Sequence, residues 1–305
     1  MDERVTSPSP VIFDRGLIRR RRRRAVALGP ATFLLDRVAE DVADRLAAVL
    51  QRFDLALDLG TPGEALRAVL ARAGSVGTIV AVDALPDGGA MRAPPFVAAD
   101  EEALPFRDAA LDLVVSALAL HFVNDLPGAL VQIRRTLRPD GLFLAALLGG
   151  ETLTELRQSF AAAESEIEDG ASPRVAPFAD LRDLGALLQR AGFALPVTDV
   201  DRLTVRYDSA FALMHDLRRM GATNALVDRQ RKPLKRATLM RMAEIYRQRF
   251  ADGDGRVRAT FEIVWLSGWA PHPSQQQPLR PGSAVARLAD ALGTHEISTG
   301  EKAAR

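Results

Sequence analysis

The sequence predicts an α/β protein built on a doubly wound, mostly parallel seven-stranded sheet, with a helical cap inserted before the last strand. Three observations predict it. Five short apolar runs, at 55–59, 78–83, 96–100, 111–116 and 141–148, each end near Gly, Pro or Asp, as strands buried on both faces do. Helical stretches such as GEALRAVLARA and DLPGALVQIRRTL separate them, which is the β-α-β alternation of a parallel sheet. Two later runs, 197–207 and 259–266, alternate polar with apolar residues and read as strands at the sheet edge.

The elements follow in chain order. Residues 1–30 hold eight arginines (Arg4, Arg15 and Arg19 to Arg24) against three acids, a net +5. No aromatic side chain is interleaved with the arginine run, as a single-strand nucleic-acid binder would need. This basic arm therefore reads as a solvated helix face or a contact with a protein partner, and nucleic acid is disfavoured. From Thr32 to Phe53, apolar residues recur every three to four positions, predicting one long amphipathic helix. The fold core is expected over 31–207. Only twelve residues, several of them Gly or Pro, separate Asp83 from Phe96, so the helix between the second and third strands should be short or lost. About fifty residues with two helical segments, near 211 and 236, separate the last two strands. That is too long for a simple connection, so 208–256 is expected to cap the ligand cleft. The last strand closes the core over 257–270, and a polar tail, 271–305, is expected to be poorly ordered at its end.

Composition excludes several classes of function. With 305 residues, 48% of them hydrophobic, the chain can bury a sizeable core. It has no cysteine, which removes disulfides, thiolate metal sites and a cysteine nucleophile, and accords with a reducing cytoplasm. No apolar run approaches the roughly 18 residues a membrane span needs, and MDERVTSPSP lacks the pattern of a signal peptide. A soluble, cytoplasmic protein is expected.

In a doubly wound sheet the ligand lies at the carboxyl ends of the strands, and the acids there form a constellation. The first strand runs into Asp58-Leu59-Gly60-Thr61-Pro62-Gly63, a glycine turn that lets backbone approach a ligand. The spacing does not match the G-x-G-x-x-G of a dinucleotide site, and an acid before the first glycine suits a ligand with a cationic amino-acid end. Asp83 closes the second strand, where a carboxylate accepts hydrogen bonds from both ribose hydroxyls. Asp100 and Glu101 close the third beside the expected adenine pocket, and Ser116 closes the fourth.

The stretch from Asp58 to Gly150 resembles the class I S-adenosylmethionine (AdoMet) dependent methyltransferases. The shared landmarks are the L-D-L-G turn, Asp83, ADEEALPF, LDLVVSALALHFVND and LRPDGLFL. FDRGLIRRRRR, GGETLTELR, GATNAL and ATFEIVWLSGWAP extend the likeness to two branches. One comprises the complex I assembly factors of methyltransferase fold, which hydroxylate an arginine of a complex I subunit; the other is the malonyl-acyl-carrier-protein O-methyltransferases of biotin synthesis. The FDR start and the GGETL block lie nearer the assembly factors.

The resemblance implies AdoMet as cofactor, held by Asp58, Gly60, Gly63, Asp83, Asp100, Glu101 and Ser116, and a complex I subunit or another protein as partner. The family pattern D-L-G-C-G-x-G departs here, since Pro62 and Glu64 replace its second and third glycines. Proline fixes φ, and Glu64 would put a bulky acid where backbone should meet the ligand. That predicts weak or absent affinity for the methionine end. O-methylation of a carboxylic acid, or a non-catalytic assembly chaperone, remain alternatives.

For chemistry, His121 just past the fourth strand is the one polar candidate, against the plainer reading of a structural hydrogen-bonder. None of His121, His215, His272 and His295 shows the His-x-Asp/Glu spacing of two-histidine, one-carboxylate iron centres, so no metal is expected. Met214, His215, Met220 and the turn Gly221 to Asn224 are candidates for a substrate entrance, against the plainer reading of the methionines as core filling. Arg218, Arg219, Arg229, Arg231, Lys232, Lys235 and Arg236 make that region basic, favouring an acidic substrate or partner.

Overall fold

The computed structural model describes residues 11–85, 95–168, 170–276 and 288–295. The expected loss of a helix between Asp83 and Phe96, and most of the tail, lie outside the described residues. The chain divides into a unit over 1–271 and a small one over 272–305; the latter shows one short helix, α9 (Leu288–Leu292).

The larger unit opens with α1 (Arg15–Ala27), whose N-cap Asp14 accepts the Leu17 N–H at 2.8 Å. Then α2 (Phe33–Ala47) buries Leu34, Leu35, Val38, Val42 and Leu46 on one stripe. This helix ends six residues before the periodicity does. Phe53, expected as its last apolar position, instead opens the first strand and is fully buried opposite Val76. A single aromatic in phase with a helix cannot outweigh a strand partner that buries it completely.

Seven strands follow in the order β3-β2-β1-β4-β5-β7-β6. They are β1 (Phe53–Leu59), β2 (Val76–Asp83), β3 (Phe96–Ala98), β4 (Leu111–Ala117), β5 (Leu137–Leu148), β6 (Ala194–Tyr207) and β7 (Val257–Trp269). The first five are parallel, and β7 runs antiparallel to β5 and β6. Of the two strands expected at the edge, only β6 is there. β7 lies inside, with Phe261, Ile263, Val264, Trp265 and Leu266 buried, because β6 covers its far side.

The period-two alternation of each strand feeds two helix layers. On β5, Leu142, Leu144, Ala146 and Leu148 join the core under α2, α3 (Ala65–Arg72), α5 (Thr154–Ile167), α7 (Ala210–Arg219) and α8 (Arg236–Phe250). Phe143, Ala145 and Leu147 face the opposite core under α4 (Leu126–Thr136) and α6 (Leu181–Arg190). No helix among the described residues is long and apolar enough to cross a membrane.

Both helices between β6 and β7 exist, but they do different things. Helix α8 buries Met242, Ile245 and Tyr246 in the sheet core, and Arg241 pairs with Glu166 on α5 at 2.5 Å. Only α7 and the turn after it face the cleft.

Candidate functional site

At the carboxyl ends of β1, β2 and β4 the structure holds a cavity of about 630 Å³, within the 300–1,000 Å³ range of small-molecule sites. Pro62, Gly63, Asp83, Leu118 and His121 contribute from the sheet side. Leu34 and Leu35 contribute from α2, Leu156 and Phe160 from α5, and Met214, Leu217 and Met220 from α7 and its end.

The glycine turn is built by necessity. Gly60 has φ +70°, and a Cβ there would lie 2.6 Å from Glu101 Oε1 and 3.1 Å from Ala119 Cβ. Only glycine fits both the backbone and the space. Thr61, which no sequence pattern marks, is buried, and its Oγ1 accepts the Ala117 N–H at 3.0 Å. That bond ties the turn to the end of β4. Gly63 has φ +72° with nothing within 4 Å of a would-be Cβ, leaving open space on the cavity wall.

Glu64 does not obstruct this space. It is the N-cap residue of α3, half-exposed, and its carboxylate pairs with Arg67 one turn on. The nearest ligand-facing positions are therefore Pro62 and Gly63, and the bulky acid expected between backbone and ligand is turned away. Arg67 also places its Nε 3.7 Å from buried Asp58, so a cation from the protein itself faces that acid. Ser116 is fully buried and donates to the Leu59 carbonyl at 2.8 Å; it joins β4 to β1 and does not line the cavity.

Asp83 is buried at the end of β2 and lines the cavity. Its Oδ1 accepts the Leu85 N–H at 3.0 Å, and Arg22 Nη1 lies 3.9 Å away. Asp100 and Glu101 are drawn into a different network. Arg15 donates to Asp100 at 2.8 Å, to Glu101, and to the Phe122 carbonyl at 3.1 Å, while Arg19 reaches Asp100 at 2.6 Å. Burial raises the Asp100 pKa, but the Glu102 N–H and these two guanidiniums outweigh it and hold it below 3.8.

The arginine run is thus no solvated face as a whole. Arg20 and Arg23 are exposed, but Arg15, Arg19, Arg21, Arg22 and Arg24 are partly buried, laid over acids and carbonyls at the strand ends. The i, i+3/i+4 spacing of Arg15, Arg19 and Arg22 puts them on one side of α1, where Asp83, Asp100, Glu101 and Glu102 compensate them. The segment before α1 is anchored too. Asn124 Oδ1 accepts the Ile12 and Phe13 N–H groups at 2.9 and 2.7 Å, and Asp14 N–H meets the Ala225 carbonyl at 2.9 Å.

His121 sits in a 3-10 turn (Leu120–Phe122) between the rings of Phe122 and Phe178. The Leu148 N–H points at its Nδ1 at 3.5 Å. Burial, and secondarily the Arg22 charge, push its pKa down to about 3. A histidine so depressed is neutral in the fold and takes its proton on unfolding. Its stability contribution is therefore complete above the ordinary value of 6.5 and lost as pH falls from there toward 3. Urea denaturation should show stability falling by roughly 1 kcal/mol per pH unit below 6.5 from this group. In His121→Gln that slope should flatten; an unchanged slope would assign it to other groups.

Of the residues expected at a substrate entrance, Met214, Met220 and Gly221 to Asn224 line the cavity, whereas His215 is exposed and does not. Of the basic residues there, Arg219 and Arg229 line it; Arg218, Arg231, Lys232, Lys235 and Arg236 are exposed to solvent. Among the described residues no group of three His, Asp or Glu side chains is arranged to hold a metal ion.

On the cavity wall Asp83 presents a buried carboxylate of the kind a ribose diol takes, whereas Asp58, expected at the methionine end, faces Arg67 and does not line the cavity. The open space at Gly63 admits ligand against backbone. At the adenine end the acids are already engaged by α1.

Comparison with known proteins accords with this architecture. Residues 57–145 match the family described as methyltransferase domain. The chain is 42% identical over 289 residues to human arginine-hydroxylase NDUFAF5, mitochondrial, covering 92% of this chain and 83% of that protein. It is 40% identical to the Danio rerio protein of the same name, covering 92% and 89%. Malonyl-[acyl-carrier protein] O-methyltransferase of Laribacter hongkongensis is 41% identical over 194 residues, 64% of this chain and 63% of that one. Among solved structures, the [4+2]-cyclase SpnF has a TM-score of 0.50 at 16% identity, covering 84% of this chain and 94% of its own, which shows the shared fold. With 42% identity running through 92% of its length, this chain belongs to the arginine-hydroxylase NDUFAF5 family of methyltransferase-fold proteins.

Proposed function

We propose that this protein binds AdoMet in the 630 Å³ cavity and modifies an arginine side chain of a complex I subunit by hydroxylation. The observation that carries the cofactor reading is the pairing of buried Asp83 with the open backbone at Gly63 on one cavity wall, both at strand carboxyl ends. The reaction is supported by relatives named arginine-hydroxylase. A cytoplasmic place of action rests on the absence of cysteine; those relatives are named mitochondrial. When bound, AdoMet would supply an electrophilic methyl group on a sulfonium, which serves the methyl transfer of the second reading; hydroxylating a C–H bond is a two-electron oxidation and takes its oxygen from a separate oxidant such as dioxygen, with a reductant to balance it. The chain's own part is to hold the ribose at Asp83, to keep His121 neutral beside the ligand, and to exclude water with α1 and α7.

A second reading, O-methylation of a carboxylic acid, is favoured by the arginines on the cavity wall and by the relative named O-methyltransferase. Calorimetric titration with AdoMet and its demethylated product tests the cofactor. Micromolar binding is expected, and no heat at millimolar ligand would overturn the cofactor reading. Incubation with candidate protein and acid substrates, followed by mass spectrometry, separates the reactions. An oxygen added to arginine supports hydroxylation, and a methyl ester on an acid replaces it with the second reading.

A further inference from the structure

The cavity wall carries a charge imbalance that the AdoMet reading does not use. Its lining includes five guanidiniums, of Arg21, Arg22, Arg174, Arg219 and Arg229, and a single carboxylate, that of Asp83. Four of the five have acids at hand. Arg22 lies 3.9 Å from Asp83 and from Glu101, Arg174 pairs with buried Glu164, Arg219 is 3.5 Å from Asp216, and Arg229 is 3.4 Å from Asp14.

Arg21 is different. Its guanidinium donates to the carbonyls of Thr223, at 2.6 Å, and Asn224, and among the described residues no carboxylate pairs with it. Arg24 reaches the Thr223 hydroxyl on the same turn, and the Arg229 guanidinium holds the Leu226 carbonyl at 2.6 Å. Three cations thus gather on the turn after α7 with one half-exposed acid, Asp14, among them. Burial, then the charges of Arg229 and Arg24, lower the Arg21 pKa to about 10, so it stays charged at neutral pH in a place that disfavours charge.

Beside this cationic end the wall is apolar. Ala225 and Leu226 pack into a cluster with Phe122, Ala176, Phe178 and Ala222. Among the described residues Arg21 has only the more distant charge of Asp14 against its own; a partly buried cation gains from an anion that pairs with it directly, and a guanidinium fork suits a carboxylate. We propose that the Arg21 and Arg229 end of the cavity binds the acid group of an organic carboxylic acid whose apolar part lies along Phe122 and Phe178. This rests on and deepens the second reading above: it assigns recognition of the acid to residues other than those that meet AdoMet. The same field disfavours a free arginine side chain at this end.

The probes are octanoate, its neutral isostere octanamide, and inorganic phosphate, titrated into the full chain by calorimetry. Octanoate is expected to bind at least tenfold tighter than either of the others. In Arg21→Gln the preference for octanoate over octanamide should fall below threefold, while Arg20→Gln, at an exposed position on the same helix, keeps it. Because Arg21 also holds the Thr223 and Asn224 carbonyls, Arg229→Gln provides a second reading should Arg21→Gln unfold, and should lose the preference as well. Asp83→Ala is expected to lose AdoMet and keep octanoate, so the two sites fail separately. Equal affinity for acid and amide would overturn the proposal, as would phosphate binding as tightly as octanoate. A preference that survives both arginine substitutions would overturn it too.

Discussion

Asp83→Ala is expected to weaken AdoMet binding by a factor of about 10²–10⁴ while leaving the fold intact. The carboxylate sits at the end of β2, buried, on the cavity wall, with the Leu85 N–H at 3.0 Å orienting one oxygen. Two charge-assisted hydrogen bonds to a ribose diol, each worth roughly 1.5–3 kcal/mol, account for that factor. The strand itself does not depend on the side chain, since β2 is held by its ladders to β1 and β3. Calorimetry with AdoMet, alongside circular dichroism, checks both parts. An unchanged Kd in a folded variant would move the ribose away from Asp83.

Arg15→Ala should cost about 3 kcal/mol of stability, measured by urea denaturation at pH 7. Glu101 is 1% exposed, pressed against Gly60, with Arg15 as its direct partner and Arg22 at 3.9 Å. Removing one side of a buried ion pair costs roughly 3–5 kcal/mol, because the other charge stays desolvated. Asp100 retains Arg19 at 2.6 Å and Glu101 retains Arg22, which places the loss at the lower end. The pair Arg15→Ala with Glu101→Gln should recover part of it, since an amide is cheaper to bury than an unpaired carboxylate. If the double variant is no more stable than the single one, the penalty does not come from Glu101.

Much of this arrangement was readable in the chain. Uninterrupted apolar runs marked the parallel strands because a strand buried on both faces has no polar side to show, and the turn from Asp58 to Gly63 followed because φ near +70° at Gly60 and Gly63 needs glycine. The acids at strand ends were legible for the same reason: a carboxylate closing a buried strand must meet a partner. Reading that partner as ligand held no information about α1, since the arginines that engage Asp100 and Glu101 lie 81 to 86 residues away. Thr61 is not legible in the chain because its hydroxyl acts through a cross-strand bond to Ala117, which leaves no periodic mark. Ser116, by contrast, closes a strand where a ligand contact is expected, but its hydroxyl is committed to Leu59.

By itself the sequence determined the layer order, the strand identities and the glycine turn, since each follows from local period, backbone freedom and burial. Tertiary structure alone decided which charges meet. It closed α1 over the third-strand acids, turned Glu64 onto Arg67 away from the cavity, split the inserted helices between core and cleft, and left Arg21 at the cavity with no directly paired carboxylate among the described residues. Coulomb and desolvation energies act at a few ångströms whatever the separation along the chain, so their outcome is written in the packing of distant segments and not in the spacing of neighbours.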